Sequence, residues 1–230
     1  MTEHSYLEIP CNLVCCGLSL SGKTVAFKGL YWPIHHRFRH TLLFSSTNNL
    51  NGEYDDILAS SKSSISRDEY DEELVVSIMK HQSAIIKKLK NKYGTFAKIP
   101  DKVKEKLHVS IICDDMLGMI PFHHSIFDKL FSKSRHLCIS IFIIQQHINT
   151  LSPAMRINAH YTLVTKIKDN NIDTLLDLIQ MGESELGTSK NDLRRFLSKY
   201  CVNYQVILFS ERIVDKKNNR HYKIMKFTLN

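Results

Sequence analysis

The sequence predicts a layered α/β fold with a mainly parallel central sheet, helices on its faces and a closing C-terminal antiparallel hairpin. Three observations carry this prediction. The apolar run Cys11-Asn-Leu-Val-Cys-Cys16 leads through a glycine-bracketed loop into a helical stretch, Thr24 to Tyr31. Short apolar runs then alternate with helical stretches along the chain, the order that βαβ units produce. The last two runs, Tyr204 to Phe209 and Tyr222 to Phe227, flank the polar segment Asp215 to Arg220, as in a hairpin. With 230 residues, 43% of them hydrophobic and only eight glycines and five prolines, the chain can bury a proper core, and a disordered or fibrous chain is excluded.

The elements follow in order. After the first strand, loop and helix, Thr41 to Ser46 is the second strand, preceded by the basic cluster His35 to His40. Residues 47–106 form a helical insertion or a long crossover within a single domain spanning 1–230. Inside it, Glu69 to Tyr93 sets Val75, Ile78, Met79, Gln82, Ile85, Ile86 and Leu89 on one helical stripe, with Gly94 placed to end the helix. Acids crowd Glu53 to Glu73 and lysines crowd Lys80 to Lys106, a polarity that suits the helix dipole. Further parallel strands are expected at Val109 to Cys113, Leu137 to Ile144 and His160 to Lys166. Helices are expected at Ser125 to Lys133, at Asn171 to Met181 with Gly182 as its stop, and at Lys190 to Tyr200.

No apolar run approaches the roughly 20 residues of a membrane span, and the opening Met-Thr-Glu-His-Ser-Tyr lacks the basic and apolar regions of a signal peptide. A soluble, unexported protein is expected. Six cysteines at positions 11, 15, 16, 113, 138 and 201 lie mostly in apolar runs without zinc-site spacing, and are expected to be reduced and buried. The formal net charge of +8 suits a phosphate-rich partner.

Gly17-Leu18-Ser19-Leu20-Ser21-Gly22-Lys23-Thr24 fits the phosphate-loop pattern G-x-x-x-x-G-K-[ST], and its strand-before, helix-after context is the one that motif requires. In such a loop the backbone N–H groups and the positive helix end wrap phosphates, Lys23 reaches the β and γ oxygens, and the Thr24 hydroxyl can ligate Mg²⁺. The apolar run Val109 to Cys113 ends in Asp114-Asp115. Asp114 is the candidate magnesium-side acid, and Asp115 is placed to polarise an attacking water, so the pair points to hydrolysis more than to a metal-only role. The run Leu137 to Ile144 ends in Gln145-Gln146. A strand lying between the phosphate loop and the acid pair would aim such an amide at the γ-phosphate.

Taken together, Gly17 to Thr24, Asp114-Asp115, Ser134-Arg135-His136, Gln146 and Arg156-x-Asn158 resemble the genome-packaging ATPases of poxviruses, other large DNA viruses and virophages, within the FtsK–HerA superfamily of DNA pumps. The resemblance runs from about Asn12 to Val164. It implies a three-layer, RecA-like P-loop fold and an ATP- and Mg²⁺-dependent ring that packages double-stranded DNA without reading its sequence. It also implies capsid partners, no membrane association and a place inside an infected cell or on the virion. On this resemblance Lys23 and Thr24 bind phosphate and metal, Asp114 is the metal-side acid, Asp115 the water-activating acid and Gln146 the strand-end sensor. Arg135 and Arg156 are rival candidates for an arginine presented to a neighbour's nucleotide. Asp115 stands where the superfamily more often has glutamate. The lysines of Lys80 to Lys106 and the segment Asp215 to Arg220 are the expected DNA-facing groups.

Two other readings compete. A small P-loop nucleoside or nucleotide kinase would have a similar length, but it would want an arginine-rich lid, for which only Arg194-Arg195 offers itself. A capsid-associated or DNA-tethering module could keep a purely structural nucleotide site, but the intact Lys23, Thr24, Asp114 and Asp115 argue against it.

Overall fold

The computed structural model describes residues 5–116, 125–179, 189–210 and 220–227. The chain begins its sheet with β1 (Asn12–Cys16), which is buried along its whole length, as a parallel strand covered on both faces must be. The phosphate-loop segment leads into α1 (Lys23–Tyr31), a 3₁₀ turn over Trp32–Arg37 and β2 (His40–Ser45). Two short helices, α2 (Asn48–Asn51) and α3 (Asp55–Ser60), precede β3 (Ser64–Arg67). The long α4 (Glu72–Tyr93), then α5 (Asp101–Lys104), lead to β4 (Val109–Asp114). There follow α6 (Ser125–Lys133), β5 (Ile139–Gln145), α7 (Pro153–Ile157), β6 (Tyr161–Val164), α8 (Ile172–Ile179), α9 (Lys190–Tyr200), β7 (Gln205–Ser210) and β8 (Tyr222–Lys226).

These strands form one eight-stranded sheet in the order β3-β2-β4-β5-β1-β6-β7-β8. The strands from β3 to β6 run parallel, and β7 and β8 add antiparallel at one end. The fold is therefore the expected α/β class, with β5 between the strand that feeds the phosphate loop and the strand that ends in acid.

Each sheet face has its own core. On one face Phe27 and Tyr31 of α1 pack on Phe142 of β5, with ring centroids 5.4 and 5.3 Å away. Tyr54 and Ile57, at the start of α3, belong to the same layer. On the other face α4, α6, α7, α8 and α9 cover Ile111, Cys113, Ile141 and Ile143. Each such buried apolar side chain contributes about 1.5–3 kcal/mol. Alternation along a strand divides the faces: Ile143 lies in the second core and Ile144 in the first.

Three differences from the sequence reading have physical causes. The segment 47–106 contains an edge strand, β3, which carries one apolar residue in Ser-Ile-Ser-Arg and shows no alternation to detect. The long helix starts at Glu72 instead of Glu69 because the Asp71 side chain accepts the Leu74 N–H and caps it there. Its other end is closed by Gly94 at φ 86°, as anticipated. The β5 ladder begins at Ile139 because Arg135–Leu137 form a 3₁₀ turn and Cys138 takes φ 55°. The end of the helix expected at Asn171 to Met181, with Gly182, and most of the Asp215 to Arg220 segment lie outside the described residues. All six cysteines are free thiols, five of them buried. Among the described residues no helix is long and apolar enough to cross a membrane, and no cluster of metal-ligating side chains appears.

Candidate active site

The phosphate-loop segment leaves β1 at its C-terminal end and turns into α1 at Gly22, whose φ of 81° is in the region that favours glycine. Gly17 is required for a different reason. A Cβ there would lie 1.6 Å from Thr165 Oγ1, just past the end of β6. Thr165 also shares a 2.6 Å hydrogen bond with the Ser21 hydroxyl, and the Leu18 N–H donates to Lys166 O at 2.6 Å. The loop is thus clamped from the β6 side. Lys23 Nζ donates to Leu18 O at 2.8 Å, which folds the ammonium back over the loop.

The acid pair ends β4, two strands away from β1, so about 10 Å separates their tips. Asp114 is buried, and its carboxylate Oδ2 accepts the Tyr54 hydroxyl at 2.8 Å. Burial pushes the Asp114 carboxyl up to about 6; Glu53 and Asp115 add to this, while the Tyr54 hydrogen bond and the Lys23 charge oppose it. Tyr54 is itself wholly buried, with its hydroxyl driven well above the usual phenol range by burial and by Asp114. Its backbone N–H is held by Asn48 Oδ1 at 2.8 Å. Tyr54 is a site residue that the motifs do not reveal, since nothing in its spacing links it to an acid sixty positions on. Asp115 is exposed, has φ 50°, and donates its N–H to Ile144 O at 3.0 Å, turning the chain over the end of β5.

Gln145 is the last residue of β5, and its side-chain Nε2 donates to Thr150 Oγ1 at 3.5 Å. Gln146 is the first residue beyond the strand, half-buried, and its carbonyl accepts Asn171 Nδ2 at 2.9 Å. Gly17 to Thr24, Asp114, Asp115 and Gln146 therefore gather at the C-terminal ends of three adjacent strands. The two arginines do not. Arg135 precedes β5 and is exposed at the opposite rim of the sheet. Arg156, on α7, is paired with Asp177 of α8 at 2.5 Å.

The donor set fits a nucleotide with Mg²⁺. A loop of backbone N–H groups, a lysine, a threonine hydroxyl and a buried carboxylate are what phosphates and a hard, oxygen-seeking cation require. The Asp114 carboxyl is raised chiefly by burial, with Glu53 and Asp115 adding to it, and a cation would favour its charged form.

Burying that charge has a measurable cost without metal. The folded-state value of about 6 lies above the unfolded 3.8, so stability from Asp114 is full below about pH 4 and is lost as pH rises through 6. Asp114→Asn keeps an oxygen for the Tyr54 hydroxyl to donate to. In chelated buffer it is expected to raise stability at pH 7.5 by about 2–3 kcal/mol, or about 5–10 °C in Tm, with the gain vanishing near pH 4. Thermal unfolding of both proteins across this range checks it; an equal gain at both ends would mean that charge is not its cause.

The fold and this arrangement define a P-loop nucleotide-binding protein. A family model for the Poxvirus A32 protein matches residues 1–223, and the chain belongs to that family. Solved structures agree on the fold. B204, the genome-packaging NTPase of Sulfolobus turreted icosahedral virus 2 in complex with ATPγS, matches with a TM-score of 0.56 at 16% identity, covering 97% of this chain and 100% of that one. B204, the DNA-packaging ATPase of Sulfolobus turreted icosahedral virus, matches with a TM-score of 0.60 at 13% identity over 95% and 98% of the two chains. TcpA, the pCW3 conjugation coupling protein, matches with a TM-score of 0.56 at 12% identity, over 87% of this chain and 57% of that one. A search of curated proteins found no significant match.

Proposed function

We infer that the protein is an ATP-hydrolysing motor that moves viral double-stranded DNA into a capsid. The observation that carries this is the phosphate loop and acid pair on strands separated only by β5, in a chain of the Poxvirus A32 family. Lys23 and the loop N–H groups hold the phosphates. Thr24 and Asp114 would hold Mg²⁺, which when bound neutralises charge on the β and γ oxygens. Asp115 takes the proton of the attacking water, and Gln146 sits where it can register the γ-phosphate. Tyr54 fixes the Asp114 carboxylate in place.

A ring completes the site. Head-to-tail contacts between identical subunits bring different surfaces together, so one subunit's far rim can face the next subunit's nucleotide. Arg135 is exposed on that far rim, whereas Arg156 is engaged by Asp177 within its own subunit. This favours Arg135 as the arginine supplied in trans, a role worth roughly 10³ to 10⁵ in rate. A soluble place inside the infected cell, with capsid protein as a further partner, follows from the same reading. The kinase reading is disfavoured because Arg194 is held by Asp169 at 3.2 Å and by Asn191.

Lysines on α4 beyond Lys80, together with Lys98, Lys102, Lys104 and Lys106, would track the DNA backbone. Binding to two unrelated duplexes of equal length is then expected to be nearly equal. It should also weaken by orders of magnitude between about 50 and 200 mM salt if six or more phosphates are contacted. Fluorescence anisotropy on both duplexes measures this. A strong sequence preference or a flat salt response would contradict backbone tracking.

A further inference from the structure

The rim of the sheet opposite the phosphate loop carries a cavity of about 540 Å³, within the size range of ligand pockets. Leu42 of β2 and Val109 of β4 form its floor, and Ile78, Ile85 and Leu89 of α4 form its roof. These three α4 side chains are only half-buried, although they share the apolar stripe whose other members, Val75 and Ile86, are covered. The helix therefore turns more apolar surface toward the sheet than the sheet covers. The mouth is basic. Arg39, His40, His81 and Lys106 line it, all of them exposed, and no acid is among the lining residues. Partial burial, then the charges of Arg39 and His81, holds the His40 ring below the ordinary imidazole range. A purely apolar ligand would leave these cations without a partner, and a nucleic-acid backbone would leave the apolar interior empty.

Beside the cavity the sheet ends at β3, and among the described residues no strand lies beyond it. Thr41 is in register with Ser64, and its N–H donates to Ser63 O at 2.9 Å. A parallel ladder of that phase directs the backbone groups of Ser63, Ile65 and Arg67 to β2 and those of Ser64 and Ser66 outward. Such an edge is a template for an added strand. A strand added there turns alternate side chains to the α4 face, next to Ile65, which lines the cavity and is 38% exposed. We propose that this rim is a docking site for an extended, acidic segment of a partner protein, which adds to β3 and lays large apolar side chains in the cavity with its carboxylates at the basic mouth. The site is separate from the phosphate loop, since His40 and Val109 begin the strands β2 and β4 whose far ends face that loop.

Selection of a random peptide library displayed on phage against the full chain tests this, with the Arg39→Glu/His81→Glu double variant as the counter-target. Both positions are exposed, so the double variant is expected to keep the fold. Peptides enriched on the wild type should combine acids with large apolar residues at alternate positions. Their synthetic forms, titrated by calorimetry, should bind the double variant about 10-fold or more weakly. Ser66→Pro removes one outward N–H without touching the β2 ladder, a place where an edge strand admits proline, and should weaken the same peptides about 5-fold. No enrichment over the double variant overturns the proposal, and so does enrichment of basic or wholly apolar peptides. Equal affinity for the wild type and Ser66→Pro overturns it as well, because strand addition is then absent. Dodecanoate is titrated in parallel: its binding to the wild type with no peptide enriched would make the cavity a small-amphiphile site and defeat the proposal. Should Ser66→Pro not fold, the double variant decides.

Discussion

Lys23→Ala is expected to abolish ATP turnover and to weaken ATP binding about 10- to 150-fold, the range for a hydrogen bond to a charged group. The fold should survive. Leu18 O, which Lys23 engages, also accepts the Ser21 hydroxyl at 2.6 Å and the Ser21 N–H at 3.3 Å, so the substitution leaves no orphaned carbonyl. The Lys23 charge also opposes the upward shift of the Asp114 carboxyl, so its removal is expected to push that carboxyl higher. Calorimetric ATP titration together with a phosphate-release assay reads both effects. Wild-type affinity in the variant would mean that the ammonium stays folded on the loop and never reaches the phosphates.

Asp115→Asn separates chemistry from binding. Turnover should fall about 100-fold or more, the usual worth of a general base, while ATP affinity changes little. Asp115 is exposed at the sheet tip and holds φ 50°, a conformation that asparagine adopts as readily as aspartate. The backbone bond from its N–H to Ile144 O does not involve the side chain. Fold and loop are therefore untouched, and any loss is chemical. Trapped ATP, recovered unhydrolysed from the variant, is the expected signature. Undiminished turnover would remove Asp115 from the reaction.

Much of this arrangement was legible in the sequence because parallel strands announce themselves. β1, β4 and β5 are mainly apolar runs buried along their length, and each leads into residues of the site: Gly17, Asp114-Asp115 and Gln146. The motif spacing carried the phosphate loop, and the place of β5 between β1 and β4 followed from the resemblance. What stayed hidden depends on contacts made across long sequence separations. Tyr54 sits in an acidic run, Glu53-Tyr-Asp-Asp56, that reads as solvent-facing, yet its ring is buried under the sheet and its hydroxyl meets Asp114. Thr165 closes on Gly17 from the end of another strand, leaving no room for a Cβ there, a contact that the loop pattern alone does not reveal. β3 was missed because an edge strand of four residues needs no apolar alternation. The ion pair that engages Arg156 joins two helices 21 positions apart, and only the packing of α7 on α8 distinguishes it from Arg135.

On the proposed function, this site hydrolyses ATP to move duplex DNA. Phosphate release by the wild-type protein with ATP and Mg²⁺, measured with and without duplex DNA and beside Asp115→Asn as the control, tests it most directly. Turnover is expected to rise when duplex DNA of any sequence is added and to be lost in the variant. Bound ATP without turnover, whether or not DNA is present, would contradict it and make the chain a tether with a structural nucleotide site.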